Sequence, residues 1–151
     1  MLFRSSFIHN GALIPGDQLD SKIPAHLKAK IVGDTDSERY FWFVMSEIEK
    51  HGFIDGVKSA LLHIKVNTNF SSINCMIMNN ETFIAACIYN QEKIPDRFKH
   101  QPDYYRLKYT ERDGKVIVGS SGWNQTGWNE LPNGSILVVD RASQRSELVS
   151  L

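Results

Sequence analysis

The sequence predicts an α+β domain built mainly on antiparallel sheet. Hydrophobic periodicity is strand-like near the N-terminus, becomes helical between residues 35 and 65, and returns to a strand period from Ser72 to Asp140. At 151 residues, 42% apolar and 23% charged, the chain has the size and composition of one globular domain with a substantial core.

Leu2 to Ile8 is a short apolar stretch, expected as a strand that runs into a tight turn at Asn10-Gly11. Gly16, Pro24 and the polar residues between Pro15 and Asp34 predict a loop, with one helical turn near Ala25 to Lys30. Thr35 followed by Glu38 is a capping-box pattern, in which the hydroxyl accepts the third backbone N–H and the carboxylate reaches back to the cap. Tyr40, Phe41, Val44, Met45 and Ile48 then recur at helical spacing until Gly52. Asp55 reads as the N-cap of a second helix carrying Val57, Ala60, Leu61 and Ile64 on one stripe.

Residues 73–78 and 82–89 flank Asn79-Asn80-Glu81 as a hairpin whose strands are apolar on both faces, which predicts cover on both sides. Gln91 to Asp103 is a polar loop, and Tyr104 to Tyr109 with Lys115 to Ser120 form a second hairpin around Arg112-Asp113-Gly114. Asn133-Gly134 precedes a last strand, Ser135 to Asp140. The polar tail from Arg141 is expected as a loose end, giving a domain over 1–140 and a tail over 141–151. Trp42, Trp123, Trp128 and the eight phenylalanines read as core before ligand platform.

Seventeen basic residues balance seventeen acidic ones with no run of like charge, which argues against a nucleic-acid partner. The absence of net charge leaves a homo-oligomer open. Met1 to Asn10 is too short and too polar for a signal peptide or a membrane span, so no membrane partner and a cytoplasmic location are expected. Cys75 and Cys87 lie in apolar runs and read as reduced, buried thiols. The five histidines show no metal-ligand spacing with them, so no metal is expected.

Two short motifs carry chemistry. Asn10 and Gly11 could converge a side-chain N–H and a backbone N–H on one oxyanion, with glycine leaving room for substrate. The same dipeptide is also the commonest hairpin turn. Asp36, in the first turn after Thr35, could hold a substrate ammonium, or could be one more acid at a helix start.

In this order the motifs resemble the class II (N-terminal-nucleophile) glutamine amidotransferases. Phe7-Ile8-His9-Asn10-Gly11 is similar to that family's oxyanion element, and Asp34-Thr35-Asp36-Ser37-Glu38 to its substrate element. The resemblance implies an Ntn-hydrolase-like αββα sandwich that hydrolyses glutamine or a γ-glutamyl amide and needs no cofactor. By resemblance Asn10 and Gly11 form the oxyanion hole and Asp36 binds the α-amino group. His9, Thr35, Glu38 and Ser121 stand in supporting positions. Val118 to Gly122 and Trp128 to Gly134 are similar to the later strand and turn of the stand-alone branch, which includes a glutathione-degrading subunit and an ergothioneine-pathway hydrolase. That strand usually ends in Ser-Glu, whereas here Gly122 follows Ser121.

The chain departs from the family in its nucleophile. The family uses an N-terminal cysteine whose own amine is the general base, whereas this sequence opens on Met1-Leu2-Phe3 and shows no counterpart of the family's early arginine element. Cys75 and Cys87 are internal and lack a free amine. The expectation is therefore a partial family domain, truncated or split and inactive alone, for which a missing N-terminal segment or a partner subunit would be the source of the first strands and nucleophile. Two alternatives stay open: a non-catalytic binding or scaffold subunit with the same fold, and an unrelated α+β domain with a coincidental Asn-Gly.

Overall fold

The computed structural model describes residues 5–101, 103–120 and 124–151. Its elements run β1 (Ser6–Leu13), α1 (Ala25–Lys28), α2 (Asp36–His51), α3 (Phe53–Asn67), β2 (Phe70–Met78), β3 (Thr82–Cys87), β4 (Leu107–Arg112), β5 (Lys115–Ser120), β6 (Asn129–Leu131), β7 (Ser135–Asp140) and β8 (Ser146–Ser150). Short 3-10 turns at Gln91–Lys93 and Asp96–Phe98 shape the polar loop before β4. Every strand pairing is antiparallel, in a five-stranded sheet ordered β1-β2-β3-β7-β8 and a three-stranded sheet ordered β5-β4-β6.

Strand alternation sorts the core into two sides of the larger sheet. Ile73, Cys75, Ile77, Ile84, Ala86 and Ile136 join the helix side with Tyr40, Val44, Leu61 and Ile64. Ala85, Cys87, Leu137 and Val139 face the smaller sheet and meet Leu107 and Leu131. Strands that are apolar on both faces are thus covered on both faces, and the described layers run helices, five-stranded sheet, three-stranded sheet. No helix among the described residues is long and apolar enough to cross a membrane.

The Asn10-Gly11 turn is not formed. Both residues lie inside β1, with Asn10 opposite Asn74 and Gly11 opposite Ile73, and the strand continues to Leu13. Between the Gly11 and Leu13 pairings, Ala12 of β1 faces two residues of β2, Ser71 and Ser72. This bulge presses the Ser72 carbonyl against Gly11, where a Cβ would sit 1.9 Å from its oxygen and where φ is +148°. Only glycine fits there.

The helical pair also differs from expectation at its joint. Asp55 is not the N-cap of α3, because Gly52, at φ +82°, both ends α2 and starts α3 without a loop. Asp55 instead lies in the first turn. Gly56 allows the close crossing that follows, since a Cβ there would meet the Ile48 backbone at 2.5 Å.

At the second hairpin, Asp113 and Gly114 take positive φ of 53° and 65°, the two-residue turn expected between β4 and β5. Strand β4 begins at Leu107 and not at Tyr104, and β6 is short enough to have escaped notice in the sequence. The tail from Arg141 is not a loose end, because it turns back and β8 pairs along β7 from Val139–Ser146 to Ser135–Ser150. Its one apolar pair, Leu148-Val149, shows too little apolar character to stand out, and β7 supplies the hydrogen-bonding edge that orders it.

Candidate functional site

The two motifs meet where the N-terminus of α2 abuts β1. Thr35 caps α2 by accepting the Glu38 N–H at 3.2 Å. Glu38 does not close the box, because its carboxylate turns outward and accepts the Val32 and Gly33 N–H groups at 2.9 and 2.7 Å. Those backbone bonds hold its carboxyl below the ordinary glutamate range. The pair therefore fixes the loop entering α2, and Glu38 serves that loop.

Asp36 is the first residue of α2, and its Oδ2 accepts the Leu13 N–H at 2.8 Å. The carboxylate thus pins the helix start to β1 just beyond Gly11. Its Oδ1 lies 3.4 Å from Ser37 Oγ, within reach of that hydroxyl's hydrogen. An anion at this point is favoured by the helix dipole.

His9 faces the helices from β1. Its Nε2 is 3.2 Å from the Ser72 carbonyl oxygen, its Nδ1 is 2.9 Å from Ser37 Oγ, and its ring meets Tyr40 edge-on at 5.1 Å. Burial pushes the imidazole pKa below 6.5, against the opposing pull of the Ser72 carbonyl and the Asp36 charge. Folded His9 is therefore neutral at pH 7.

The unfolded chain takes up the His9 proton near 6.5 and the folded chain only at lower pH, so this residue costs nothing above 6.5. Stability is lost as pH falls from 6.5 through the folded value. Unfolding free energies measured from pH 7.5 to 5 are expected to fall less in His9→Gln than in the wild type; equal slopes would contradict this.

Asn10 lies on the opposite side of β1, in the space between the two sheets. It lines a cavity of about 130 Å³ with Ile8, His9, Asn74, Cys75, Met76, Leu107 and Ser120. Asn74 and Ser120 were not anticipated as part of a site. Asn74 could have been noticed as the one amide inside the apolar run from Ile73 to Met78, whereas Ser120 carried no signal of its own. Ser121, the remaining anticipated residue, lies outside the described residues, directly after the end of β5.

Neither cysteine fits a nucleophile's setting. Cys75 is buried beside Tyr40, whose hydroxyl is 3.3 Å away, and burial pushes its thiol up to about 12. Burial likewise pushes Cys87 up to about 11. The thiolate at pH 7 is then roughly one molecule in 10⁵ for Cys75 and one in 10⁴ for Cys87. In Ellman titration, both thiols are expected to react at least about 100-fold more slowly in the native chain than in denaturant. A fast native thiol would contradict this.

Among known proteins, no family model matches the chain. An uncharacterized protein of Methanocaldococcus jannaschii, MJ1515, is 26% identical over 152 residues, covering 88% of this chain and 41% of that protein. The chain thus spans about two fifths of the length of that relative.

Solved structures are more informative about architecture. A glutamine aminotransferase class-II domain protein from Silicibacter pomeroyi superposes with a TM-score of 0.71 at 18% identity, covering 98% of this chain and 68% of its own. An allosteric regulatory enzyme of purine biosynthesis reaches 0.61 at 18% identity, covering 97% and 30%. Glutamine phosphoribosylpyrophosphate amidotransferase from B. subtilis reaches 0.58 at 16% identity, covering 97% and 30%. What the chain shares with these proteins is the mixed, mainly antiparallel Ntn-hydrolase-like fold of class II glutamine amidotransferase domains.

Proposed function

We propose that this chain is the substrate-holding part of a class II glutamine amidotransferase site, acting on glutamine or a γ-glutamyl amide. The observation that carries this reading is the Asp36 carboxylate hydrogen-bonded to the Leu13 N–H. That bond brings an anion to the strand bearing Asn10 and Gly11, three residues from Asn10, a span of at most about 11 Å of extended chain. Asp36 takes the α-ammonium, while the Asn10 amide and Gly11 N–H take the oxygen that becomes negative on attack.

The nucleophile is a thiolate supplied from outside these 151 residues. Its sulfur bonds to the amide carbon, the C=O pair moves to the oxygen held by Asn10 and Gly11, and collapse expels ammonia protonated by the attacking cysteine's own amine. Water then cleaves the thioester to release the carboxylate product and the thiol. The burial of Cys75 and Cys87 supports this assignment.

Strand β1 supports it as well, as the edge of its sheet with no described strand beyond it. Grooves of about 210 and 300 Å³ flank that edge, one lined by Ile8, Met76, Met78 and Phe83, the other by Phe7, Ser37 and Phe41. A free edge flanked by an apolar groove on one side and a mixed groove, which also holds Ser5 and Glu38, on the other suits an added strand.

The test is a glutaminase assay on the chain alone and mixed with a second polypeptide that opens on cysteine and an apolar strand. Activity is expected only in the mixture, and Asn10→Ala is expected to lower it by about 10²- to 10³-fold. Activity of the chain alone, abolished by Cys75→Ala or Cys87→Ala, would overturn the proposal. Glutamine binding without turnover in every mixture would favour a non-catalytic binding subunit.

A further inference from the structure

The hydroxyl of Ser37 has one hydrogen and two acceptors. It lies 2.9 Å from His9 Nδ1 and 3.4 Å from Asp36 Oδ1. Which acceptor receives the hydrogen is decided on the far side of the imidazole. The partner of His9 Nε2 is the Ser72 carbonyl oxygen, which can only accept, so Nε2 carries a hydrogen. In neutral His9 the other nitrogen is then bare, and Ser37 must donate to it.

In that state Oδ1 of Asp36 lacks the Ser37 hydrogen, while Oδ2 is held by Leu13. When His9 gains a proton, Nδ1–H donates to Ser37 Oγ, and the serine hydrogen is free to turn to Asp36 Oδ1. A cation at Asp36 then competes with a hydrogen bond as well as with a nearby imidazolium.

We propose that Ser37 is a positioning residue that couples the protonation of His9 to the acceptor capacity of Asp36, so that the site holds an amino-acid ammonium best while His9 is neutral. The ligand consequence rests on the reading of Asp36 given above; the coupling itself rests on the hydrogen-bond inventory. Around His9 the titratable groups are Asp36 and the Tyr40 phenol from α2 and the Cys75 thiol from β2, opposite His9 in register. Tyr40 and Cys75 both stay neutral through the acid range, since burial raises both. Asp36 is the one of these that can answer a charge on His9 near neutral pH. Glu38, the other carboxylate of that helix turn, points away to Val32 and Gly33.

The test uses the full chain labelled with ¹⁵N in histidine and ¹³C in aspartate, titrated by NMR from pH 7.5 downward until His9 has taken up its proton. Neutral His9 is expected as the Nε2–H tautomer, and the Asp36 carboxyl carbon is expected to inflect at the His9 midpoint. Ser37→Ala should cut that inflection to less than half, and Ser37→Thr, which keeps the hydroxyl, should restore it. Calorimetry with L-glutamate over the same range should show affinity falling at least about threefold toward acid in the wild type and in Ser37→Thr, and less than half as steeply in Ser37→Ala.

An Nδ1–H tautomer, or an Asp36 inflection unchanged in Ser37→Ala, would overturn the coupling. An intact coupling with no glutamate binding in any variant would overturn the ammonium site at Asp36, and with it the ligand half of this proposal.

Discussion

Replacing Gly11 by alanine is expected to destabilise the domain by about 3 kcal/mol or more and to lower its melting temperature by roughly 6–12 °C. Two costs add at this position. Backbone at φ +148° is open to glycine and strained for any residue with a side chain, a cost of about 1–3 kcal/mol. The new methyl would also stand 1.9 Å from the Ser72 carbonyl oxygen.

That carbonyl cannot step aside cheaply. Ser72 is fully buried in the bulge of β2, its hydroxyl accepts the Asn74 N–H at 3.0 Å, and its carbonyl oxygen faces His9 Nε2. Displacement would therefore disturb both the histidine and the strand that carries Asn10. Thermal melts of Gly11→Ala against the wild type provide the check. A shift under about 1 °C would mean that the glycine is there for substrate access alone and that the bulge yields.

Asn74→Leu is the second substitution with a large expected cost. The asparagine is 2% exposed and spans two layers, its Nδ2 donating to the Tyr105 carbonyl at 2.6 Å and its Oδ1 accepting the Ile88 N–H at 2.7 Å. Leucine keeps the volume, strands the Ile88 N–H and leaves the Tyr105 carbonyl only the Cys87 thiol at 3.9 Å, and a backbone group buried without a partner costs about 1–3 kcal/mol. A loss of about 2–5 kcal/mol is expected in denaturant unfolding.

The damage should spread toward the candidate site. Tyr105 donates to Ser71 Oγ at 3.1 Å, and the same oxygen accepts the Ala12 N–H at 3.1 Å, so one hydrogen-bonded path joins the loop before β4 to β1 beside Gly11. Amide exchange in native Asn74→Leu is expected to quicken both near Tyr105 and at Ala12. Wild-type stability, or faster exchange confined to Tyr105, would contradict that path.

The fold was legible wherever one residue pattern answers to one physical demand. Helical spacing from Tyr40 to Ile48, capped by Thr35 and closed by Gly52, could only describe α2. The doubly apolar strands Ile73 to Met78 and Thr82 to Tyr89 required cover on both faces and have it.

Legibility failed where the deciding partner is distant in sequence. Asn10-Gly11 has the local signature of a turn, yet a β2 bulge some 60 residues later keeps it in a strand. Strand β8 owes its order to the β7 edge. Asp55 lost the capping position to Gly52 because the helix junction is shorter than any loop the pattern suggested.

The candidate site divides the same way. Asp36 and His9 stood in recognisable motifs, and the structure joins them through Ser37. The path through Asn74, Tyr105 and Ser71 needed coordinates, since side chains 31 and 34 residues apart carry no common spacing.

Calorimetric titration of the full chain with L-glutamate at pH 7.5, repeated on Asp36→Asn and Asp34→Asn, tests the substrate site at Asp36 most directly. Asparagine at 36 keeps an oxygen for the Leu13 N–H and removes the charge, so the fold is preserved while the ammonium partner is lost. One saturable site per chain is expected, unchanged by Asp34→Asn and weakened at least about tenfold by Asp36→Asn, as loss of a charge-assisted contact requires. A wild-type chain that takes up no glutamate, or an Asp36→Asn variant that binds it as tightly as the wild type, would contradict this expectation.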